Sequence, residues 1–217
     1  MFPDVDATLS ELAAERPAFH SEDDFKFALA WYLAGHHPGA AVRLETPFDL
    51  PSLRGRLDLR YEDADERVAI ELKYKTRLAD FTVAGEDYRL KGQAAQDLGR
   101  YDYCRDVWRV ESLVRAGRAE RGLAILLTND SAYWTAAKPQ SLGEAFSLHE
   151  SQRLEGVLSW PEGFSSGTTK GREAAIELTG SYTIVWHPYS EVGDGTYGRF
   201  FYCVAEANEG ARRSHPS

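Results

Sequence analysis

Asp58, Glu71 and Lys73 are the residues whose types and spacing could do chemistry. In Arg56-Leu57-Asp58-Leu59-Arg60 the polar side chains alternate with Leu57 and Leu59. In Val68-Ala69-Ile70-Glu71-Leu72-Lys73-Tyr74, Glu71 and Lys73 share one strand face while Ile70, Leu72 and Tyr74 take the other. If the two runs pair as a hairpin turning at Ala64-Asp65, Glu62 faces Arg67 and Asp58 falls opposite Glu71. Facing carboxylates destabilise a ladder unless positive charge lies between them. Lys73 is one source of that charge and a divalent cation is another. Two carboxylates and a main-chain carbonyl, completed by water, suit Mg²⁺ or Mn²⁺. Such an ion polarises a phosphate and lowers the pKa of a bound water. A lysine beside it could position that water or stabilise charge developing on the phosphate. Lysine is scarce in this chain, 6 against 19 arginines, so a compact ammonium at this position is a distinctive choice.

These residues need strands and helices to hold them. Ser21 reads as a helix N-cap with Asp24 closing a capping box, and Phe25, Leu29, Tyr32 and Leu33 recur at helical spacing until Gly35 and Pro38. Three strands are predicted next, Val42 to Phe48, Arg56 to Tyr61 and Val68 to Tyr74, then a small hairpin around Ala84-Gly85. A long helix follows from about Gly92 to Ala116, with apolar stripes through Leu98, Tyr101, Cys104 and Trp108 and through Tyr103, Val107, Val110 and Val114. Its arginines (Arg100, Arg105, Arg109, Arg115, Arg118) are expected for the most part on a solvated face, pairing with Asp97, Asp102, Asp106 and Glu111. Gly122 to Thr128 is nearly all apolar and reads as a central strand. Residues 129–180 read as irregular, and Tyr182 to Trp186 and Phe200 to Ala205 as two last strands. The order α-β-β-β-α-β with a β-rich extension predicts an α/β fold with a mixed sheet and helices packed on it.

With that order in place, Asp58, twelve residues, then Glu71-Leu72-Lys73 resembles the signature of the PD-(D/E)xK nuclease superfamily, and the element order resembles its restriction-endonuclease-like core. The resemblance covers residues 20–128; Leu57 stands where many members have Pro. It implies residues 1–128 as the nuclease-like core and 129–217 as a β-rich elaboration of the same domain. It implies a Mg²⁺- or Mn²⁺-dependent hydrolase of phosphodiester bonds in nucleic acid, DNA ahead of RNA. Asp58, Glu71 and the Leu72 carbonyl would be metal ligands, and Glu22, which opens the first helix, stands where many members keep a further metal-binding acid. Lys73 would act on the attacking water. Nucleases related to RecB place a helix Gln at the site, and here Gln93 and Gln96 are equal candidates. The alternative is a non-catalytic module that keeps the fold to bind nucleic acid or a protein. A glycosidase built on Asp58 and Glu71 is disfavoured by the adjacent lysine and the lack of an aromatic sugar platform.

Charge sets limits on that reading. The 217 residues carry a net charge of -9, which taken alone opposes a phosphate-rich partner. The acids are unevenly spread, however: residues 81–128 carry 7 acids against 8 bases and are the one stretch that is not acidic. A divalent ion also reverses the local sign at a carboxylate site. In the extension, Trp134, Lys138, Trp160, Lys170 and Arg172 mix aromatics with bases, which suits either nucleic-acid contact or core packing. Two cysteines, Cys104 and Cys203, build neither a disulfide framework nor a zinc site. An acidic start and a longest apolar run of Leu123 to Leu127 predict a cytoplasmic chain without a membrane association, with room for a homodimer or a protein partner.

Overall fold

The run Arg121–Thr128 is apolar on both faces, and it lies where such a strand must, inside a sheet. A computed structural model describes residues 1–51, 53–136, 143–161, 169–193 and 195–208. In it β6 (Arg121–Thr128) runs parallel to β3 (Arg67–Lys75) on one side and antiparallel to β10 (Arg199–Asn208) on the other. Outside β3 lie β2 (Leu53–Glu62) and β1 (Ala41–Leu50), and outside β10 lies β9 (Trp186–Glu191), all antiparallel. The result is a six-stranded mixed sheet of order β1-β2-β3-β6-β10-β9. The C-terminal strands therefore complete the sheet that the first half begins. Two small hairpins, β4 (Ala79–Val83) with β5 (Glu86–Leu90) and β7 (Arg153–Leu158) with β8 (Ile176–Thr183), stand apart from it.

Alternation along β3 and β6 sorts the core into two layers. Val68, Ile70, Leu72, Tyr74, Leu123, Ile125 and Leu127 pack under α1 (Val5–Glu15) and α2 (Glu22–His36). Ala69, Ala124 and Leu126 pack with Tyr103, Cys104, Val107 and Val110 of α3 (Gln96–Arg115), and the β7–β8 hairpin closes that layer with Leu154, Ile176, Leu178 and Tyr182. Gly122 fixes how near α3 comes: a Cβ there would lie 2.8 Å from the Val110 Cβ and 2.9 Å from its carbonyl oxygen. Helix α2 begins as its sequence requires, with the Asp24 N–H donating to Ser21 Oγ at 3.1 Å. The Asp24 carboxylate accepts from the His20 N–H instead of from the cap residue itself, and is clamped by Arg16.

Four expectations need correcting. Helix α3 starts at Gln96, because Ala95 is left-handed (φ 66°) and the Gln93 N–H donates to the Thr76 carbonyl at 2.8 Å, which holds residues 91–95 as a loop. Helix α1, capped by Asp4 and buried through Val5, Leu9 and Leu12, was absent from the sequence reading. The stretch 129–180 is not wholly irregular, since it contains β7 and the start of β8. Tyr182 to Trp186 is not one strand: Ile184 exchanges hydrogen bonds with Ser151 and Gln152 while the chain crosses from β8 to β9. Among the described residues, no helix is long and apolar enough to cross a membrane.

Candidate active site

The ladder between β2 and β3 keeps the register expected of it, Glu62 opposite Arg67 up to Leu59 opposite Ile70, and stops one residue short of Asp58 and Glu71. The chain turns over at Asp58. Leu59 and Tyr61 enter the layer under α1 and α2, whereas Leu57 enters the layer under α3. On β1 the residue at the Asp58 level, Glu45, has a positive φ of 51°. Past this point β3 has lost its antiparallel neighbour, and its inward N–H groups need other acceptors. Carboxylates supply them. The Leu72 N–H donates to Asp58 Oδ2 at 2.9 Å, and the Tyr74 N–H donates to Glu22 Oε2, also at 2.9 Å. Asp58 and Glu22 thus stand at successive places along the open edge of β3, flanking the Leu72 carbonyl. That carbonyl accepts a hydrogen bond from Lys73 Nζ at 3.3 Å.

Glu71 and Lys73 project from β3 toward α3. Glu71 is 1% exposed, with Oε1 3.0 Å from Arg109 Nη2. Lys73 Nζ lies 2.7 Å from Asp106 Oδ2, and Arg109 Nη1 lies 3.6 Å from Asp106 Oδ1. Arg109 itself is stacked over the Phe48 ring at 5.3 Å and donates to the Arg56 carbonyl. On the other side of the strand, Lys26 of α2 lies 3.6 Å from Asp58 Oδ1 and 3.1 Å from Asp23, and it hydrogen-bonds Glu45. The cluster therefore sets Glu22, Asp58, Glu71 and Asp106 against Lys26, Lys73 and Arg109.

Its electrostatics are dominated by burial. Removal from water, reinforced by Asp106 and Asp58, pushes the Glu71 carboxyl up to about 10 despite the pull of Arg109 and Lys73. Burial also raises Asp106, to about 6, with Lys73 and Arg109 opposing. For Lys73 burial disfavours the charge, but Asp106, Glu22 and Asp58 outweigh it and hold the ammonium above its ordinary value. Lys26 behaves alike, with burial outweighed by Glu45, Asp23 and Asp58. The raised Glu71 value and its 3.0 Å contact with Arg109 point in opposite directions. The geometry resolves the conflict: Glu71 Oε1 and Asp106 Oδ2 meet their cations at ion-pair distance yet outside hydrogen-bonding directions, so neither charge is fully compensated.

These oxygens fit a hard divalent cation as a donor set: carboxylates, one main-chain carbonyl, and a buried carboxylate oxygen without a hydrogen bond. The carboxylates are turned to N–H groups and to cationic side chains. Among the described residues no three or more His, Cys, Asp or Glu side chains converge on one point.

The helix glutamines lie elsewhere. Gln93 precedes α3 and is exposed, so it is not a helix residue, and the Gln96 side chain donates to Asp130 Oδ2 at 2.9 Å beyond the end of β6. The helix instead brings Asp106 and Arg109, which the sequence reading assigned to a solvated face. One signal could have found Asp106: it falls three residues after Tyr103 and four before Val110, inside an apolar stripe. Of the other acids on α3, Asp97 pairs with Arg100 as expected, whereas Asp102 binds Arg172 and Glu111 is buried under β8. The tryptophans of the extension pack against protein: Trp160 on Tyr101 and Phe146, Trp134 on Trp186 and Phe201. Lys138 lies outside the described residues. No family model, curated protein or solved structure matches this chain.

Proposed function

We propose that the chain is a Mg²⁺- or Mn²⁺-dependent phosphodiesterase of restriction-endonuclease-like type, acting on nucleic acid, with DNA ahead of RNA. The observation that carries the reading is the open edge of β3, where Asp58 and Glu22 occupy successive N–H groups beside the Leu72 carbonyl and the Lys73 ammonium. Asp58, Glu71 and the Leu72 carbonyl would hold the ion, with Glu22 extending the set. A bound divalent ion supplies a polarised phosphate oxygen and a water of lowered pKa. Asp106, Glu22 and Asp58 favour the Lys73 ammonium, which suits it to orienting that water or meeting charge on the phosphate. Burial of Glu71 to 1% keeps bulk water from competing at this oxygen. With a net charge of -9, affinity for DNA is weak and salt-sensitive without metal.

The test is cleavage of linear, circular and single-stranded DNA, and of RNA, in Mg²⁺, Mn²⁺ or EDTA, alongside Glu71→Ala and Lys73→Ala. Cleavage confined to the wild type with metal is expected; cleavage surviving EDTA or both substitutions overturns the assignment. One observation favours a second reading, a non-catalytic binding module on the same fold: Glu71 and Lys73 are each already paired within the protein, with Arg109 and Asp106. An inert wild type that binds neither Mn²⁺ nor Mg²⁺ would decide for it.

A further inference from the structure

We propose that Asp106 of α3 is the positioning residue for Lys73, held in place by Arg109, which bridges Asp106 to Glu71. The inference rests on the nuclease reading, in which Lys73 meets the water or the phosphate. A lysine carries its charge on a flexible four-carbon stem, so a useful ammonium needs an anchor. Strand β3 fixes only the base of that stem; the Leu72 carbonyl, at 3.3 Å, is a weak restraint. Asp106 Oδ2 comes closer, to 2.7 Å, and adds the attraction of an ion pair with little exposure to water.

Asp106 is itself well fixed. It lies on the helix stripe of Tyr103, Val107 and Val110, all at 0% exposure, where a carboxylate must be desolvated. Among the described residues, no backbone N–H donates to it. Its charged neighbours are Lys73 and Arg109, with Asp58 and Glu71 close enough to repel it. An acid kept at such a place, and aimed only at cations of the site, serves those cations. Arg109 completes the frame with contacts to Asp106 and Glu71, pinned in turn by the Phe48 ring and the Arg56 carbonyl. The helix thereby aligns the lysine and the acid of one strand relative to each other, the task a helix glutamine was expected to perform.

The test combines labelling with kinetics on the full chain. In metal-free protein, reductive methylation followed by peptide mass spectrometry reads the accessibility of Lys73 against Lys75, two residues further along the same strand face. Asp106→Asn is expected to raise the Lys73 rate at least fivefold toward that of Lys75. In cleavage assays it lowers kcat 30- to 100-fold, with KM for DNA and the Mn²⁺ dissociation constant within threefold of wild type. Asp106→Glu keeps the charge; it serves also if the Asn protein does not fold, and is expected to hold Lys73 protection within twofold and recover part of kcat. Unchanged labelling in the Asn variant, or Glu-variant labelling as fast as at Lys75, overturns the proposal whatever cleavage does. A wild type inert on every substrate instead removes the nuclease reading, while the labelling still decides whether Asp106 holds Lys73.

Discussion

Two acids on α3, Asp106 and Glu111, are buried to the same 4% exposure and are stabilised in opposite ways. Glu111 faces the β7–β8 hairpin at its bulge, where the register skips residues between the Glu155–Ser181 and Gly156–Leu178 pairs. The skipped N–H groups belong to Thr179 and Gly180, and both donate to Glu111, at 3.1 and 2.5 Å; the Tyr182 hydroxyl adds a third donor at 2.8 Å. A Cβ at Gly180 would lie 2.7 Å from the Tyr182 hydroxyl and 2.9 Å from the Glu111 oxygen, so a larger residue would have to displace one of these bonded side-chain ends. All three donors are neutral, and two are main chain. Among the described residues, Asp106 meets the charged ends of Lys73 and Arg109 in place of main-chain donors. On the proposed function, the difference is that between a structural carboxylate and one that serves the site. Saturation by neutral, largely main-chain donors makes Glu111 a joint between helix and hairpin, whereas the compensation of Asp106 comes from the cations of the site and is incomplete.

The sharpest way to break this comparison is Glu111→Ala. Three buried donors would lose their acceptor, at about 1–3 kcal/mol for each group left unsatisfied, so the fold is expected to lose about 3 kcal/mol or more. Urea unfolding measures that loss, and the Mn²⁺ affinity of the folded fraction should stay where it was. A large affinity change would mean that the hairpin and the site are one unit, and the distinction would fall.

Glu71→Gln is the reverse experiment. Here the fold is expected to keep its stability within about 1 kcal/mol at neutral pH, since burial holds Glu71 in its protonated form and Gln is close to that form in shape and charge. Calorimetric titration should instead show Mn²⁺ affinity reduced by at least the roughly 10- to 100-fold that loss of a supporting partner costs a metal site. A fall in stability matching that of Glu111→Ala would place Glu71 with the joints.

The pH dependence sharpens the same contrast at smaller amplitude. The Glu71 carboxyl is raised from its ordinary 4.5 to about 10, so the folded state keeps a proton that the unfolded chain releases. Its stabilisation is full below pH 4.5 and is lost as pH rises toward 10, by at most about 1.4 kcal/mol per pH unit. Asp106 adds a loss of the same sign between its ordinary 3.8 and about 6. Glu120, lowered to about 2 chiefly by its hydrogen bond from Arg67, acts only on the acid side of its ordinary 4.5. The Met1 ammonium, raised from its ordinary 8.0 by Asp63, also titrates between pH 6 and 9, so it is the difference between wild type and Glu71→Gln across that range that reports on Glu71. Stability should decline with pH there in the wild type and in Glu111→Ala, and much less in Glu71→Gln. Bound metal, which favours the carboxylate, should flatten the decline.

How far the sequence carried depended on whether local pattern or tertiary placement set each feature. The β2–β3 register was legible because an alternating pair of strands with a short acidic turn permits few alignments, and Glu62 opposite Arg67 is the one found. Ser21 was legible because a cap acts within one turn. The central strand announced itself by being apolar on both faces. Asp106 and Arg109 were hidden by the charge density of α3, where acids and bases three and four apart always look like a solvated lattice. Burial by β3 decides which of them are interior, and β3 is not visible from the helix pattern. Lys26 was hidden likewise, as its roles depend on Glu45 across the layer. Asp102 and Glu111 escaped because their partners, Arg172 and the β8 bulge, lie about 70 residues onward.

Gln96 marks the other limit of such reading, a polar residue on the correct helix with a local role. Its amide donates to Asp130 Oδ2, and Asp130 in turn caps the turn after β6 by accepting from the Ala132 N–H at 3.0 Å. It opens α3, ten residues or nearly three turns before Asp106, so it ties the helix start to the end of β6 and not to Glu71. Gln96→Ala should therefore cost about 1 kcal/mol, the worth of one hydrogen bond, visible as a small shift in urea midpoint. Cleavage rate and Mn²⁺ affinity should change less than twofold. Gln93→Ala, at an exposed loop position whose recorded bond is through its main-chain N–H, should change neither stability nor activity measurably. If either glutamine instead lowered kcat as Asp106→Asn is expected to, the helix would approach the site by its first turn. The assignment of the working acids to the middle of α3 would then have to be abandoned.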